Sequence, residues 1–145
     1  MAAPAPPTAL AGALARVGDR WSLLVVDALQ DGARRFADLH AVVPGIATNV
    51  LTQRLRQLEA DRIVLAVPYS NRPVRYAYQL TEAGRALSGV VRLLAQWNVD
   101  HGGGSDGSEP ATPVHPACGT ALVARWWCPT CDEPSEGPPA EVDWI

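Results

Sequence analysis

Three features of the sequence predict a mainly α domain with one small β-hairpin, followed by a second, much smaller module. Apolar residues recur at three- and four-residue intervals through most of the first hundred positions, the period of helices packed on a core. The pattern is interrupted where residues 63–67 and 74–80 run as β-branched or alternating stretches about a turn-rich segment at 69–73. All three cysteines fall between positions 118 and 131, beyond a Gly/Ser/Pro-rich stretch at 102–113 that reads as a flexible linker and domain boundary.

Taken in order, residues 1–7 are Ala- and Pro-rich and read as a loose leader. Thr8 caps a first helix through about Val17, with Leu10, Leu14 and Val17 at helical spacing and Gly18 as its stop. Asp19 caps a second helix over residues 20–30 whose expected buried face is Trp21, Leu24, Val25 and Ala28, and Asp31-Gly32 ends it. A third helix over residues 36–43 repeats Phe36, Leu39 and Val43. Pro44-Gly45 breaks it, and a fourth begins at Ile46.

The fourth helix has two faces that ask for two partners. Ala47, Leu51, Leu55 and Leu58 share an apolar stripe, and Asn49, Thr52, Gln53 and Arg56 gather opposite it. That polar set, with Thr48 at its start, contains no acid. Guanidinium forks match guanine, amides match adenine, and threonine serves base edges or phosphate, so the face suits a DNA groove. A solvated face without function is the competing reading of the helix alone. Two helices about a Pro-Gly turn, followed by a hairpin, form a winged helix-turn-helix. The hairpin tip carries Ser70, Asn71, Arg72 and Arg75, a composition suited to phosphate or minor-groove contact, although a solvated loop accounts equally for Arg75. Thr81 then caps a helix running to about Val99 whose stripe of Ala83, Leu87, Val90, Val91, Leu94 and Trp97 exceeds what one domain core needs. The expectation is pairing with a second subunit, helped by the first helix, with folding back on its own domain as the alternative.

The segments GDRWSLLVVDAL, ARRFADLHAVVPGIATNVLTQRLRQLEADRIV and VRYAYQLTEAGRAL, in that order and spacing, resemble the HxlR family of bacterial winged-helix transcriptional regulators over residues 8–101. The resemblance implies homodimers that bind double-stranded DNA as repressors or activators. It places the helix at 47–60 in the major groove and makes the hairpin at 62–79 the wing. Some members sense thiol-reactive compounds through a cysteine ahead of the first helix; this chain has Thr8 in that region, which puts that route in doubt.

Charge is split along the chain. Residues 1–101 hold eleven arginines against eight acids, a net +3, and the remainder holds one arginine against seven acids, a net −6. The basic part is thus local, which is where a nucleic-acid footprint is judged. The chain has 48% hydrophobic residues, no apolar run near membrane-span length and no signal-peptide pattern at its start. The expectation is a cytoplasmic protein without a membrane partner.

Behind the linker stand His115-Pro-Ala-Cys118 and, after nine intervening residues, Cys128-Pro-Thr-Cys131. Two knuckles, each offering ligands at i and i+3, suit a tetrahedral Zn²⁺ site, with Gly119 as the positive-φ position after the second ligand. The expected module is a zinc ribbon at 114–133 with His115, Cys118, Cys128 and Cys131 as structural ligands, one strand over 121–127, and Trp126 or Trp127 covering the metal. A redox switch at Cys128 and Cys131 competes with it, as does a tail that binds nothing. His101 or Asp132 could stand in for the fourth ligand. Residues 134–145 read as an acidic, mostly unstructured end.

The sequence holds no paired carboxylates, nucleophile turn or phosphate loop, which excludes the common enzyme classes. The function expected is therefore a dimeric regulator reading a pseudo-palindromic operator with half-sites ~34 Å apart. A winged-helix protein-interaction module with the ribbon as a docking site is the alternative. Whether a small-molecule effector binds, and whether regulation is positive or negative, stay open.

Overall fold

The computed structural model describes residues 8–101, 114–123 and 125–135; the expected leader, the linker and residues 136–145 of the acidic end lie outside them. The chain divides into two compact units, Met1–Leu94 and Ala95–Ile145.

In the first unit α1 (Ala9–Val17), α2 (Arg20–Ala28), β1 (Arg34–Arg35), α3 (Phe36–Val42), α4 (Thr48–Ala60), β2 (Val64–Asn71), β3 (Val74–Leu80) and α5 (Glu82–Ala86) follow in order, and α6 (Ser88–His101) starts there. The caps form as their residue types require. The Thr8 hydroxyl accepts from the Ala11 amide at 3.1 Å, and an Asp19 carboxylate oxygen accepts from the Trp21 and Ser22 amides at 3.0 Å. The core is Val17 of α1, Val25, Val26 and Leu29 of the α2 region, Leu39 and Val43 about α3, Leu51, Leu55 and Leu58 of α4, and Ile46, Ile63, Val64 and Leu80 from the joints and the hairpin. Each of the three α4 leucines is at most 2% exposed, so each contributes roughly 1.5–3 kcal/mol of apolar burial to seating that helix.

Several boundaries differ from the sequence reading. Helix α4 starts at Thr48, not Ile46; Ile46 is buried in the turn, while Ala47 is an exposed N-cap and leaves the apolar stripe. Helix α2 stops at Ala28: the Leu29 amide is shared between the Val25 and Val26 carbonyls, both at 3.2 Å, and the Gln30 amide bonds back only three residues, to Asp27, which tightens the last turn. Its most buried face is Ser22, Val25 and Val26, one position round from the expected one. Trp21 stays half-buried, with the Arg20 guanidinium 4.2 Å above its ring. Arg34 and Arg35 form a third strand, order β1-β3-β2, pairing with Tyr78 and Ala77. Strands β2 and β3 pair from Val64↔Leu80 to Asn71↔Val74, so Arg72 and Pro73 alone make the turn, and an irregularity between Pro68 and Ser70 places Ser70 opposite Arg75.

The long helix after Thr81 is divided at Leu87, whose amide bonds to the Gly84 carbonyl at 3.1 Å. Gly84 packs so closely on the hairpin's base that a Cβ there would collide with the Ile63 carbonyl. Of the expected stripe, Leu87 and Val91 pack on the core, whereas Val90, Leu94 and Trp97 are 49–61% exposed, as is Leu93, which the expected stripe did not include. On α1, Leu10 and Leu14 are 67% and 55% exposed.

The described part of the second unit beyond α6 holds a bridge between Val114 and Ala121 and a hairpin of β4 (Trp126–Cys128) with β5 (Glu133–Ser135). The single strand expected over 121–127 is absent among the described residues: Leu122 and Val123 are outside any strand, and pairing resumes at Trp126. The acidic end expected from residue 134 begins instead with strand residues Pro134 and Ser135.

Candidate nucleic-acid interface

Helix α4 is held on the core by its leucines and turned outward along Thr48, Asn49, Gln53 and Arg56, all exposed, with Thr52 half-buried beside them. Asn49, Thr52, Gln53 and Arg56 line one open groove of about 540 Å³, joined by Gln57, which the sequence reading left out. Its signal was legible: Gln57 stands four residues after Gln53 and next to Arg56. The Gln57 amide donates to Asp61 at 2.9 Å. Thr52 donates its hydroxyl to the Thr48 carbonyl at 2.8 Å, which leaves its oxygen lone pairs able to accept a further hydrogen bond. Thr48 Oγ1 lies 3.4 Å from His40 Nε2, tying the start of α4 to α3.

The two arginines of α4 have separate lives. Arg54 reaches back to Asp19 at 3.3 Å and so belongs to the joint between α4 and α2. Burial pushes the Asp19 carboxyl up, but hydrogen bonds from the Ser22 hydroxyl and amide, the Arg54 charge and the Trp21 amide outweigh it and hold it below its ordinary value. Arg56 is exposed and has no ion-pair or hydrogen-bond partner among the described residues, and the same holds for Arg72 and Arg75 on the hairpin. Arg72 lies in the two-residue turn and Arg75 one residue into β3.

Between helix and hairpin lies a second cleft of about 450 Å³, lined by Phe36, Thr52, Leu55, Arg56, Glu59, Ala66, Tyr76 and Tyr78. Burial, and then the Glu59 carboxylate, push the Tyr78 phenol above its usual range, so it stays a hydroxyl at neutral pH. Strand β1 braces this region through Arg35, whose guanidinium lies 4.6 Å above the Tyr69 ring. No pattern in residues 33–36 alone announced that brace.

The four expected metal ligands stand as two pairs. His115 Nδ1 lies 3.4 Å from Cys118 Sγ, and the Cys128 and Cys131 side chains share a hydrogen bond. No group of three or more His, Cys, Asp and Glu side chains positioned to hold a metal ion occurs among the described residues. Hydrogen bonds with the Thr120 hydroxyl and amide draw the Cys118 thiol below its ordinary value, and bonds from the Cys131 and Thr130 amides do the same for Cys128. The alternative ligands His101 and Asp132 join neither pair: His101 stacks on Trp97 at 5.6 Å. Among the described residues no helix is long and apolar enough to cross a membrane.

Comparison with known proteins agrees with the winged helix-turn-helix fold. The HTH-type transcriptional regulator Mb3122 of Mycobacterium bovis is 38% identical over 121 residues, 83% of this chain and 75% of that protein. The crystal structure of PA1607 matches with a TM-score of 0.72 at 27% identity, over 88% of this chain and 87% of its own. The redox regulator HypR in its oxidized form matches with a TM-score of 0.60 at 32% identity, over 64% of this chain and 96% of its own. The model of the HxlR-like helix-turn-helix family matches residues 16–105, and the chain belongs to that family of transcriptional regulators.

Proposed function

We propose that the chain is a dimeric DNA-binding regulator that reads a pseudo-palindromic operator, with α4 in the major groove and Arg72 and Arg75 of the wing on the flanking backbone. One observation carries the reading. Asn49, Thr52, Gln53 and Arg56 share a groove on the outer side of a helix whose other side is locked into the core. A rigid helix presenting amide, hydroxyl and guanidinium groups without an acid between them is equipped to read base edges. The start of α4 supports it, since Ala47 offers no side-chain cap and the first turn holds no acid, which leaves backbone N–H groups free for phosphate.

Dimerisation is supported by Val90, Leu93, Leu94 and Trp97 of α6, whose exposure is more than a solitary helix face ordinarily leaves to water. Gel-shift titration on the promoter beside the chain's own gene tests the proposal. Binding should weaken steeply with salt, with a log–log slope near −4 if the four wing arginines of a dimer are the phosphate contacts that count. No binding at low salt would leave the protein-interaction reading of the same surface.

Redox sensing through Cys128 and Cys131 is the second reading, favoured by their hydrogen-bonded pairing and the depressed Cys128 thiol. The likeness to HypR lends it some weight, although all three cysteines here lie outside the family match at 16–105.

A further inference from the structure

Two five-residue turns in the C-terminal module are built alike. In His115-Pro-Ala-Cys118-Gly119 the Gly119 amide donates to the His115 carbonyl at 2.8 Å, and Gly119 has φ +69°. In Cys128-Pro-Thr-Cys131-Asp132 the Asp132 amide donates to the Cys128 carbonyl at 2.9 Å, and Asp132 has φ +58°. Positive φ is uncommon for a residue with a side chain, so the second turn adopts the backbone of the first without the help of glycine. Each turn joins an antiparallel pairing, Val114 with Ala121 and β4 with β5. Each also sets its first and fourth side chains within reach of one another, imidazole with thiol in one and thiol with thiol in the other.

Among its described residues the module has no core to hold these turns. Every described residue of 114–135 except Cys128 is exposed, including Val123 at 72%, Trp126 at 70% and Trp127 at 57%. So small a fold without buried apolar side chains needs a staple. A disulfide between Cys128 and Cys131 would close only its own turn and connect nothing to His115 or Cys118. One ion shared by both turns would connect them and use every cysteine of the chain.

We propose that His115, Cys118, Cys128 and Cys131 bind one Zn²⁺ in a closed tetrahedral site, which makes the module a zinc ribbon. The two pairs do not meet on one centre by themselves, so ion capture and docking of one turn on the other are a single event. The ion displaces three thiol protons to solvent and takes the lone pair of a neutral imidazole. Nothing is oxidised or reduced. Four protein ligands leave no open position, so the site is structural.

The test uses the full chain purified with a non-chelating phosphine reductant. Elemental analysis should find about one zinc per chain, and a mercurial thiol reagent should release that zinc as the three cysteines react. Exchange with Co²⁺ should give thiolate-to-metal charge-transfer bands and the strong visible bands of tetrahedral cobalt. Cys118→Ser and Cys131→Ser, one in each turn, should each weaken Co²⁺ binding by more than the roughly 10–100-fold typical of outer-shell changes. His115→Ala should keep the charge-transfer bands while lowering affinity. A circular-dichroism melt of the helices in each variant shows that the winged-helix unit still folds. A reduced chain that holds no zinc and takes up no Co²⁺ would overturn the proposal. So would Co²⁺ binding unchanged in either cysteine variant, or a Cys128–Cys131 disulfide isolated with no metal bound. If the variants fail to fold, mercurial release from the wild-type chain decides alone, and release of no zinc overturns the site.

Discussion

Replacing Asp19 by alanine should loosen the seat of helix α4 from a position away from its exposed polar face. One Asp19 carboxylate oxygen caps α2 through two amides at 3.0 Å, and the other receives the Arg54 guanidinium at 3.3 Å. Loss of an N-cap costs about 1 kcal/mol, within a range of roughly 0.5–2. The ion pair is partly exposed, 27% and 35% for its two side chains, so it adds at most about 1 kcal/mol. The sum, roughly 1–2 kcal/mol, corresponds to a drop of roughly 4–16 °C in Tm for a domain of this size. Asp19→Asn separates the two roles, because asparagine caps as well as aspartate and lacks the charge; it should recover half or more of the stability lost in Asp19→Ala. The pH dependence has a definite sign. The folded-state pKa of Asp19 lies below its ordinary value, so its stabilisation is fully present above the unfolded value of about 3.9 and disappears as pH falls through the lower folded value. Urea titrations of wild type, both variants and Arg54→Met at neutral and acidic pH would measure these quantities. An Asp19→Ala chain within about 0.5 kcal/mol of wild type, the scatter of ordinary surface substitutions, would refute the reasoning, as would equal destabilisation by Asn and Ala.

Three further outcomes follow from the interface. Arg56→Ala should cost roughly 1–3 kcal/mol of operator affinity and relax preference at one base pair per half-site; a uniform loss over all sequences in a binding-site selection would make Arg56 a phosphate contact. Arg72→Ala and Arg75→Ala should each weaken binding to every sequence alike and flatten the salt slope by about two for a dimer, read in gel shifts at several salt concentrations. Leu93→Glu, on the exposed face of α6, should halve the mass seen by analytical ultracentrifugation while leaving the helical circular dichroism in place; a variant of unchanged mass would remove α6 from the subunit interface.

What the sequence made legible was local. Thr8, Asp19 and Thr81 announce their helices because an N-cap is a matter of a few consecutive residues, and all three side chains make the expected bonds. The Leu51, Leu55 and Leu58 stripe was equally readable, since spacing alone puts those residues on one side. The misses depend on distant partners. Arg34 and Arg35 become a strand only because β3 offers free backbone groups to them, and two charged residues carry no alternation from which a strand can be read. The tightening at Leu87 comes from Gly84 lodged against Ile63, a contact between segments about twenty residues apart. In the C-terminal module the ligand spacing was visible, but the equivalence of the two turns, including the positive φ of Asp132, is a backbone property that composition does not display.

Arg54 and Arg56 show why a residue type on a helix does not define its role. Two positions apart, they point about 200° away from one another around α4. One is drawn to an aspartate 35 residues earlier in the chain, and the other is left facing outward beside Gln53 and Gln57. A sequence can assign them to different sides, but only the fold supplies Asp19 to one and, among the described residues, no ion-pair or hydrogen-bond partner to the other. The distinction has a measurable form. Arg54→Met should lower stability and leave sequence preference as it was, whereas Arg56→Ala should change preference with the melting temperature nearly unmoved, because an exposed side chain without partners contributes within about 0.5 kcal/mol to folding. If both variants moved both quantities together, the division of α4 into a seated side and a reading side would be wrong.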